Sequence, residues 1–151
     1  MRVTFVCTGN TCRSPMAEAL LKKKCESENL DIEVLSRGTS VHTMDVINPK
    51  SLEALKNVDI NNFSHTAQQI NSDDVKNSDI VLTMTYNQKK ELLRLYPEQK
   101  YKIFTLSEYV LDTIEDITDP YGKSQIFYNF CLEEIGKLIE LLGEEIKEQI
   151  S

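Results

Sequence analysis

Short apolar runs alternate along the chain with longer segments whose apolar residues recur every three or four positions. Apolar runs of about four to six residues are typical of buried strands, and the wider spacing is typical of helices that pack one face on a core. The runs predict four strands, at residues 3–6, 32–36, 79–84 and 101–106. The spacing predicts helices over residues 15–28, from Asn48-Pro49, from Ser72, over 87–95 and over 126–150.

Capping signals sharpen some of these predictions. Ser14 stands where an N-cap is favoured and Pro15 where a first helical residue is favoured, and Asn87 is the expected cap of a later helix. The last helix is expected to bury one apolar stripe, and Cys131 is expected to lie in the protein core with it. The predicted stripe consists of Phe127, Phe130, Ile135, Leu138, Leu141 and Leu142.

The predicted elements follow the order β-α-β-α-α-β-α-β-α. A strand, a helix and a second strand within the first 36 residues imply parallel pairing with a right-handed crossover. Residues 79–84 are almost entirely apolar, as expected of a central strand that is covered on both faces. We therefore expect a three-layer α/β/α fold with a central parallel sheet of about four strands, forming one domain over residues 1–151.

Composition narrows the class of protein. With 40% hydrophobic and 27% charged residues, the chain resembles an ordinary globular protein. Its net charge of −7 argues against nucleic acid as a partner, and no apolar run or leader predicts a membrane span or export. The four cysteines form no C-x2-C pair, so reduced thiols and no metal ion are expected. A cytoplasmic monomer is the expectation.

The clearest chemical signal lies between the first strand and the first helix. Cys7 begins this loop and Arg13 ends it, with five residues between them. N–H groups of such a loop and of the following helix turn converge on an anion, and they also favour an ionised thiolate. Arg13 can hold two phosphoryl oxygens with its planar guanidinium. The pattern predicts phosphoryl transfer to Cys7, followed by hydrolysis of the phosphocysteine.

The bare spacing is a weak signal, because a buried cysteine and a solvated arginine in an ordinary turn would match it equally well. The full sequence C-T-G-N-T-C-R-S-P over residues 7–15 is more specific. It resembles the active-site loop of the low-molecular-weight protein tyrosine phosphatase family, and the likeness extends through Met16-Ala17-Glu18. The resemblance implies a metal-free and cofactor-free enzyme with Cys7 as nucleophile and Arg13 as phosphate clamp. It implies a phosphate-binding loop made by Thr8, Gly9, Asn10, Thr11, Cys12 and Ser14.

A proton donor is needed for the leaving group. The acidic segment 112–122 could be a solvated turn, and its Asp112, Glu115 and Asp116 are all candidates by composition. The resemblance favours Asp119, because Asp119-Pro120 matches the general-acid loop of the family. It also implies that Tyr121 forms one wall of the pocket.

Two further segments are related to the loop by the same resemblance. Ser36 belongs to a Ser-x-Gly-Thr segment that braces the loop in the family, although Gly38 could also serve only as a turn. His65 is implied to hydrogen-bond toward the loop, with a purely structural histidine as the alternative. Cys12 is implied to form a disulfide with Cys7 under peroxide, and simple packing beneath the loop is the alternative.

Substrate choice is predicted from what the pocket lacks. Thr11 stands where the family most often has isoleucine, and threonine there resembles the bacterial protein-arginine phosphatases. In phosphotyrosine-directed relatives, the loop that corresponds to residues 41–45 commonly offers an aromatic ring to the substrate, but here it includes no Phe, Tyr or Trp. Gly122 likewise stands where those relatives often have an aromatic residue. Phosphoarginine on proteins is therefore the first expected substrate, and phosphotyrosine is the second.

Other functions are weaker alternatives. Arsenate reductase activity is disfavoured because residues 79–100 contain no cysteine. A sugar-transport phosphocarrier would retain its phosphocysteine, and Arg13 and Asp119 argue against that role. A non-catalytic phosphoresidue-binding module would need no ionised Cys7.

Overall fold

The computed structural model describes residues 1–150. Its strands are β1 (Arg2–Cys7), β2 (Glu33–Gly38), β3 (Ile80–Thr83) and β4 (Ile103–Thr105). Its α-helices are α1 (Arg13–Ser27), α2 (Pro49–Lys56), α3 (Ser72–Asn77), α4 (Tyr86–Leu95), α5 (Leu106–Leu111) and α6 (Gln125–Ile150). A 3-10 helix, Pro97–Lys102, precedes β4.

The four strands form one parallel sheet in the order β2-β1-β3-β4. Val3 of β1 pairs with Val34 on one side and with Ile80 on the other. The chain thus moves to opposite sides of β1 in its first two crossovers, and the carboxyl edge between β1 and β3 is where such folds bind ligands. Cys7 is the last residue of β1 and lies at this edge. The predicted parallel α/β sheet is confirmed.

Alternation along β1 creates the layers. Phe5 points into a large core shared with α1, α2 and α6, whereas Val6 points into a smaller core shared with α3 and α4. Helices therefore cover both faces of the sheet. All four residues of β3 are buried, as predicted for a central strand.

Two predicted helix starts were wrong. α1 begins at Arg13, two residues before Pro15, and the side chain of Cys12 at its cap position makes no capping hydrogen bond. Ser14 does not cap because its hydroxyl contacts the Cys7 sulfur instead. α4 is capped by Thr85, which accepts a hydrogen bond from the backbone N–H of Gln88, and Asn87 lies inside the helix.

The strand predicted over residues 101–106 is confirmed at its centre, although it is shorter than predicted. Only Ile103–Thr105 pair with β3, and Leu106 begins α5, which was not predicted. Thr105 and Glu108 form a reciprocal capping box, with N···O distances of 3.0 and 3.1 Å. This pair satisfies two backbone donors at the start of α5 and ends the strand there.

The buried face of α6 also differs from the prediction at three positions. Phe127, Phe130 and Leu141 are 47%, 57% and 44% exposed. Helices α1, α2 and α5 pack against a neighbouring face of the helix, so the two phenylalanines are left at the surface. The buried face consists of Tyr128, Cys131, Leu132, Ile135, Leu138, Ile139, Leu142 and Ile146.

Gly38 ends β2 beside the phosphate-binding loop. A Cβ at this position would lie 2.6 Å from the backbone oxygen of Thr8 and 2.5 Å from a methyl carbon of Val41. Such distances are far inside van der Waals contact, so the close approach of the two segments requires glycine. No helix within residues 1–150 is long and apolar enough to cross a membrane.

Replacing Gly38 by alanine should lower the free energy of unfolding by about 1–3 kcal/mol, the usual cost of overpacking a tight site. The measurement is urea denaturation of the G38A variant. G136A is the matched control, because Gly136 is helical and its added Cβ would meet nothing within 4 Å. The control should be unchanged or more stable by up to about 1 kcal/mol. Equal stability of the two variants would contradict the claim that Gly38 is required.

Candidate active site

Asn10 organises the loop between β1 and α1. It is fully buried, and its φ of 58° lies in the left-handed region. Its side-chain nitrogen donates to the hydroxyl oxygens of Ser14 at 2.8 Å and Ser36 at 3.1 Å. Its side-chain oxygen accepts from the backbone N–H of Gln68 at 2.9 Å, and its backbone oxygen lies 2.7 Å from Nε2 of His65. Residues of three surrounding segments thus fix the loop through one side chain and its backbone oxygen.

The hydroxyl of Ser14 is directed at the expected nucleophile. Its oxygen lies 2.9 Å from the Cys7 sulfur. Because this oxygen already accepts from Asn10, its single hydrogen is free to point at a second partner. The sulfur is closer than the alternative acceptor, the Arg37 backbone oxygen at 3.5 Å. The Ser14 hydroxyl is therefore placed to donate its hydrogen bond to Cys7.

Arg13 is 5% exposed, and its guanidinium is anchored at the rim of the loop. Nη1 donates to the backbone oxygen of Ile117 at 2.9 Å, and Nη2 lies 3.6 Å from Oδ2 of Asp119. The other carboxylate oxygen of Asp119 accepts from the backbone N–H of Tyr121 at 3.0 Å. The side chain of Asp119 remains 55% exposed, so the carboxylate is held near the loop and is open to solvent.

One cavity of about 340 Å³ brings these residues together. The residues predicted for it that line its wall are Cys7, Thr8, Gly9, Asn10, Thr11, Cys12, Arg13, Asp119 and Tyr121. Four residues that were not among the predicted site residues, Ser40, His42, Thr43 and Asp45, line it as well, and the last three belong to the segment 41–45 whose lack of aromatic residues was noted above. Of the predicted site residues, Ser14, Ser36 and His65 stand behind the wall and contact the loop from the side of the core.

His65 supports the loop through a polar chain. Its ring Nδ1 lies 3.7 Å from the carboxylate of Glu18, which also accepts from Ser36 at 2.6 Å. Burial lowers the pKa of His65, while the Asn10 carbonyl and the Glu18 carboxylate act in the opposite direction. Neither ring nitrogen faces the cavity, so this histidine positions Asn10 and stands apart from the expected reacting atoms.

Gln88 contacts the loop, and the sequence did not predict this contact. Its side-chain nitrogen donates to the hydroxyl of Thr8 at 3.0 Å, and its oxygen accepts from the backbone N–H groups of Met84 and Thr85. The side chain therefore joins the loop to the end of β3 and the start of α4. The Thr85-x-x-Gln88 spacing is a capping-box signature and would have located the helix start, although not the contact with Thr8.

Arg37 lies outside the cavity. Its Nε donates to Asp74 at 3.0 Å, and Nη1 donates to the Ser36 backbone oxygen at 2.8 Å. Asp74 also belongs to the capping box of α3. This partly buried ion pair links the end of β2 to α3, and it explains an arginine at this position without a direct role at the loop.

The thiols differ in their surroundings. All four cysteines are buried and unpaired. Burial raises the pKa of Cys12, and it raises the pKa of Cys131 to about 12. Cys12 donates to Tyr128 at 3.8 Å, and it lies on the same loop as Cys7. A disulfide between Cys7 and Cys12 stays a prediction. Within residues 1–150, no cluster of three or more His, Cys, Asp or Glu side chains is placed to hold a metal ion.

Comparison with known families supports the geometry. The family model described as low molecular weight phosphotyrosine protein phosphatase matches residues 2–151. The chain belongs to this family. It is accordingly a protein phosphatase, and the family to which its loop sequence pointed is confirmed.

Relatives of both specificities are similar to this phosphatase. A protein-arginine-phosphatase of Bacillus subtilis is 36% identical over 150 residues, which are 98% of each chain. The low molecular weight protein-tyrosine-phosphatase PtpB of Staphylococcus haemolyticus is 40% identical over 139 residues, 92% of this chain and 95% of that one. The solved structure of the YwlE arginine phosphatase from Geobacillus stearothermophilus has a TM-score of 0.92 at 35% identity, covering 98% and 94% of the two chains.

Iodoacetamide at pH 7 should alkylate Cys7 first and abolish activity, because Ser14 and the loop donors favour its thiolate. Peptide mass spectrometry after partial inactivation locates the modified residue, and inorganic phosphate should protect it. C25S is the matched control and should be inactivated like the wild type, because burial raises the pKa of the Cys25 thiol and disfavours its alkylation. Loss of activity that tracks modification of Cys25 or Cys131 would contradict this account.

Proposed function

We propose that this phosphatase hydrolyses phosphoarginine on proteins, with Cys7 as nucleophile, Arg13 as phosphate clamp and Asp119 as general acid and base. The observation that carries the proposal is the chemistry of the cavity around Thr11. Thr43 and Asp45 line the same cavity as Thr11, and Tyr121 is the one lining residue with a phenyl ring. A polar pocket with a carboxylate at its rim suits a planar, cationic guanidino group better than a phenyl ring.

The first step transfers the phosphoryl group to sulfur. The Cys7 thiolate attacks phosphorus, the S–P bond forms, and the P–N bond of phosphoarginine breaks. Asp119 gives its carboxyl proton to the departing guanidino nitrogen, so the arginine side chain of the substrate protein leaves as a stable guanidinium cation. Arg13 and the loop N–H groups stabilise the negative charge on the three phosphoryl oxygens.

The second step restores the enzyme. Asp119, now a carboxylate, takes a proton from a water molecule as the water oxygen bonds to phosphorus. The S–P bond breaks, inorganic phosphate leaves, and the hydrogen bond from Ser14 stabilises the returning Cys7 thiolate. Among the solved structures with the same fold is an arginine phosphatase YwlE mutant with a phosphorylated active-site serine, at a TM-score of 0.92. A phosphorylated nucleophile in that relative supports a covalent intermediate here.

Phosphotyrosine is the second candidate, and one observation favours it. Tyr121 lies at the mouth of the cavity with 70% of its surface exposed, where its ring could stack on a phenyl group. The similarity to PtpB of Staphylococcus haemolyticus at 40% identity supports this alternative. The two candidates share all the chemistry at Cys7, so only substrate comparison separates them.

Matched peptides carrying phosphoarginine or phosphotyrosine test the choice. The phosphatase should prefer phosphoarginine, and T11I should shift the ratio of kcat/KM toward phosphotyrosine by at least about tenfold, because bulk replaces a hydroxyl partner. T11V keeps the size and removes only the hydroxyl, so it separates the two effects. C7S is the blank. A wild-type preference for phosphotyrosine would overturn the arginine proposal and leave the chemistry at Cys7 unaffected.

Replacing Asp119 by asparagine should lower kcat about 10²–10⁴-fold for a substrate whose leaving group needs a proton. The loss should be smaller for p-nitrophenyl phosphate, whose leaving group departs as a stable anion. D112N is the matched control from the same acidic segment, since Asp112 has a φ of 57° that asparagine tolerates. An equal loss of kcat in D119N and D112N would contradict the assignment of Asp119 as general acid.

A further inference from the structure

A second cavity, of about 400 Å³, lies on the far side of the Asp119 loop. Pro120 and Phe127 form part of its wall, and Phe130 and Glu134 of α6 form another part. Asp119 lines both this cavity and the cavity above Cys7. A polypeptide whose phosphorylated residue enters the first cavity can therefore reach the second.

Phe130 and Glu134 lie four positions apart on α6, so their side chains are neighbours on one face of the helix. Phe130 is 57% exposed, which leaves its ring accessible. Within residues 1–150, no cation lies over this ring and none forms a salt bridge with Glu134. One aromatic ring and one carboxylate, whose Cβ atoms are about 6 Å apart at this helical spacing, thus both line the same cavity.

The charges around Glu134 leave it without compensation. Desolvation and the nearby Glu115 carboxylate both raise the pKa of Glu134, although the residue remains exposed at the surface. Lys123 is the cation that lines the cavity, and its Nζ lies over the ring of Phe127 at 5.2 Å from the centroid. Asp119 faces Arg13. The cavity therefore combines apolar surface with a carboxylate that an incoming cation would stabilise.

We propose that this second cavity is a substrate subsite, which takes a lysine or arginine side chain located near the phosphorylated residue in the same polypeptide. The methylene stem would lie on the ring of Phe130, and the cationic head would reach Glu134. A long side chain with an apolar stem and a charged tip fits this arrangement, since it covers aromatic surface and pairs with the carboxylate in one conformation. An aliphatic side chain would leave Glu134 uncompensated.

The inference rests on the proposed function only in that the substrate is a phosphorylated polypeptide, and it holds for phosphoarginine and phosphotyrosine alike. Extended chain spans about 3.3–3.6 Å per residue, so the second side chain should lie within about three residues of the first. Selectivity for the flanking residue should appear in KM, with kcat unchanged, because the subsite is remote from the reacting bond.

The experiment uses two peptide series, one with phosphoarginine and one with phosphotyrosine. Each series carries lysine, norleucine or alanine in turn at the three positions on either side of the phosphorylated residue. Norleucine keeps the length of the stem and lacks the charge. At one position, lysine should raise kcat/KM about three- to fivefold over norleucine, and salt should reduce the difference. Within each series norleucine should exceed alanine, through contact with Phe130.

Variants assign the preference to the cavity. E134Q should abolish the difference between lysine and norleucine. E133Q should retain it, because Glu133 is the adjacent carboxylate on α6 and does not line the cavity. F130A should lower kcat/KM for both lysine and norleucine peptides. Activity on p-nitrophenyl phosphate, which has no flanking residues, should be the same in E133Q and the wild type.

Each result decides the question. No lysine preference at any of the six positions, or a preference that survives E134Q, would overturn the proposal. Equal rates for lysine and norleucine, both lost in F130A, would also overturn it, because the subsite would then be purely apolar. Higher kcat/KM for every phosphotyrosine peptide would refute the arginine proposal above. The ratio of kcat/KM between lysine and norleucine peptides would still test the subsite in that case.

Discussion

The candidate site depends on one buried polar residue in a left-handed conformation. Asn10 turns the chain at the end of β1, and each of its side-chain polar atoms has a partner in a different part of the fold. A buried amide without partners would be costly, so α1, β2 and the segment near residue 68 must all be in place before the loop closes. The loop is in this sense a product of the tertiary fold, and Ser14 reaches the Cys7 sulfur only because Asn10 orients it.

Asp119 is the point at which the two cavities meet. On one side, the Arg13 guanidinium lies 3.6 Å from its carboxylate, and on the other side Phe130 and Glu134 form an exposed pair. The side chain of Asp119 is 55% exposed, so its carboxyl group can exchange a proton directly with water, which suits its proposed role as general acid and base. Chemistry and recognition of the flanking polypeptide would thus share one short loop, between Ile117 and Tyr121.

Local sequence patterns predicted the parts of the structure that local forces decide. The buried strand β3 and the loop between β1 and α1 were predicted from short local segments. The place of Asp119 beside Arg13 was implied only by the family resemblance, since composition left Asp112, Glu115 and Asp116 open as candidates. The exposed faces of Phe127 and Phe130 did not follow, because helical spacing gives a stripe without saying which side meets the sheet. The contact between Gln88 and Thr8 joins residues 80 positions apart, and no local pattern contains it.

A covalent phosphocysteine can be detected by a rapid-quench experiment. Wild-type protein is mixed with excess phosphopeptide, and protein-bound phosphate on Cys7 is followed by mass spectrometry from milliseconds onward. We expect a phosphocysteine that forms and decays to inorganic phosphate at rates no slower than kcat, in C12S as in the wild type. Release of phosphate by C7S at the wild-type rate, or a phosphoenzyme that persists until an acceptor is added, would contradict it.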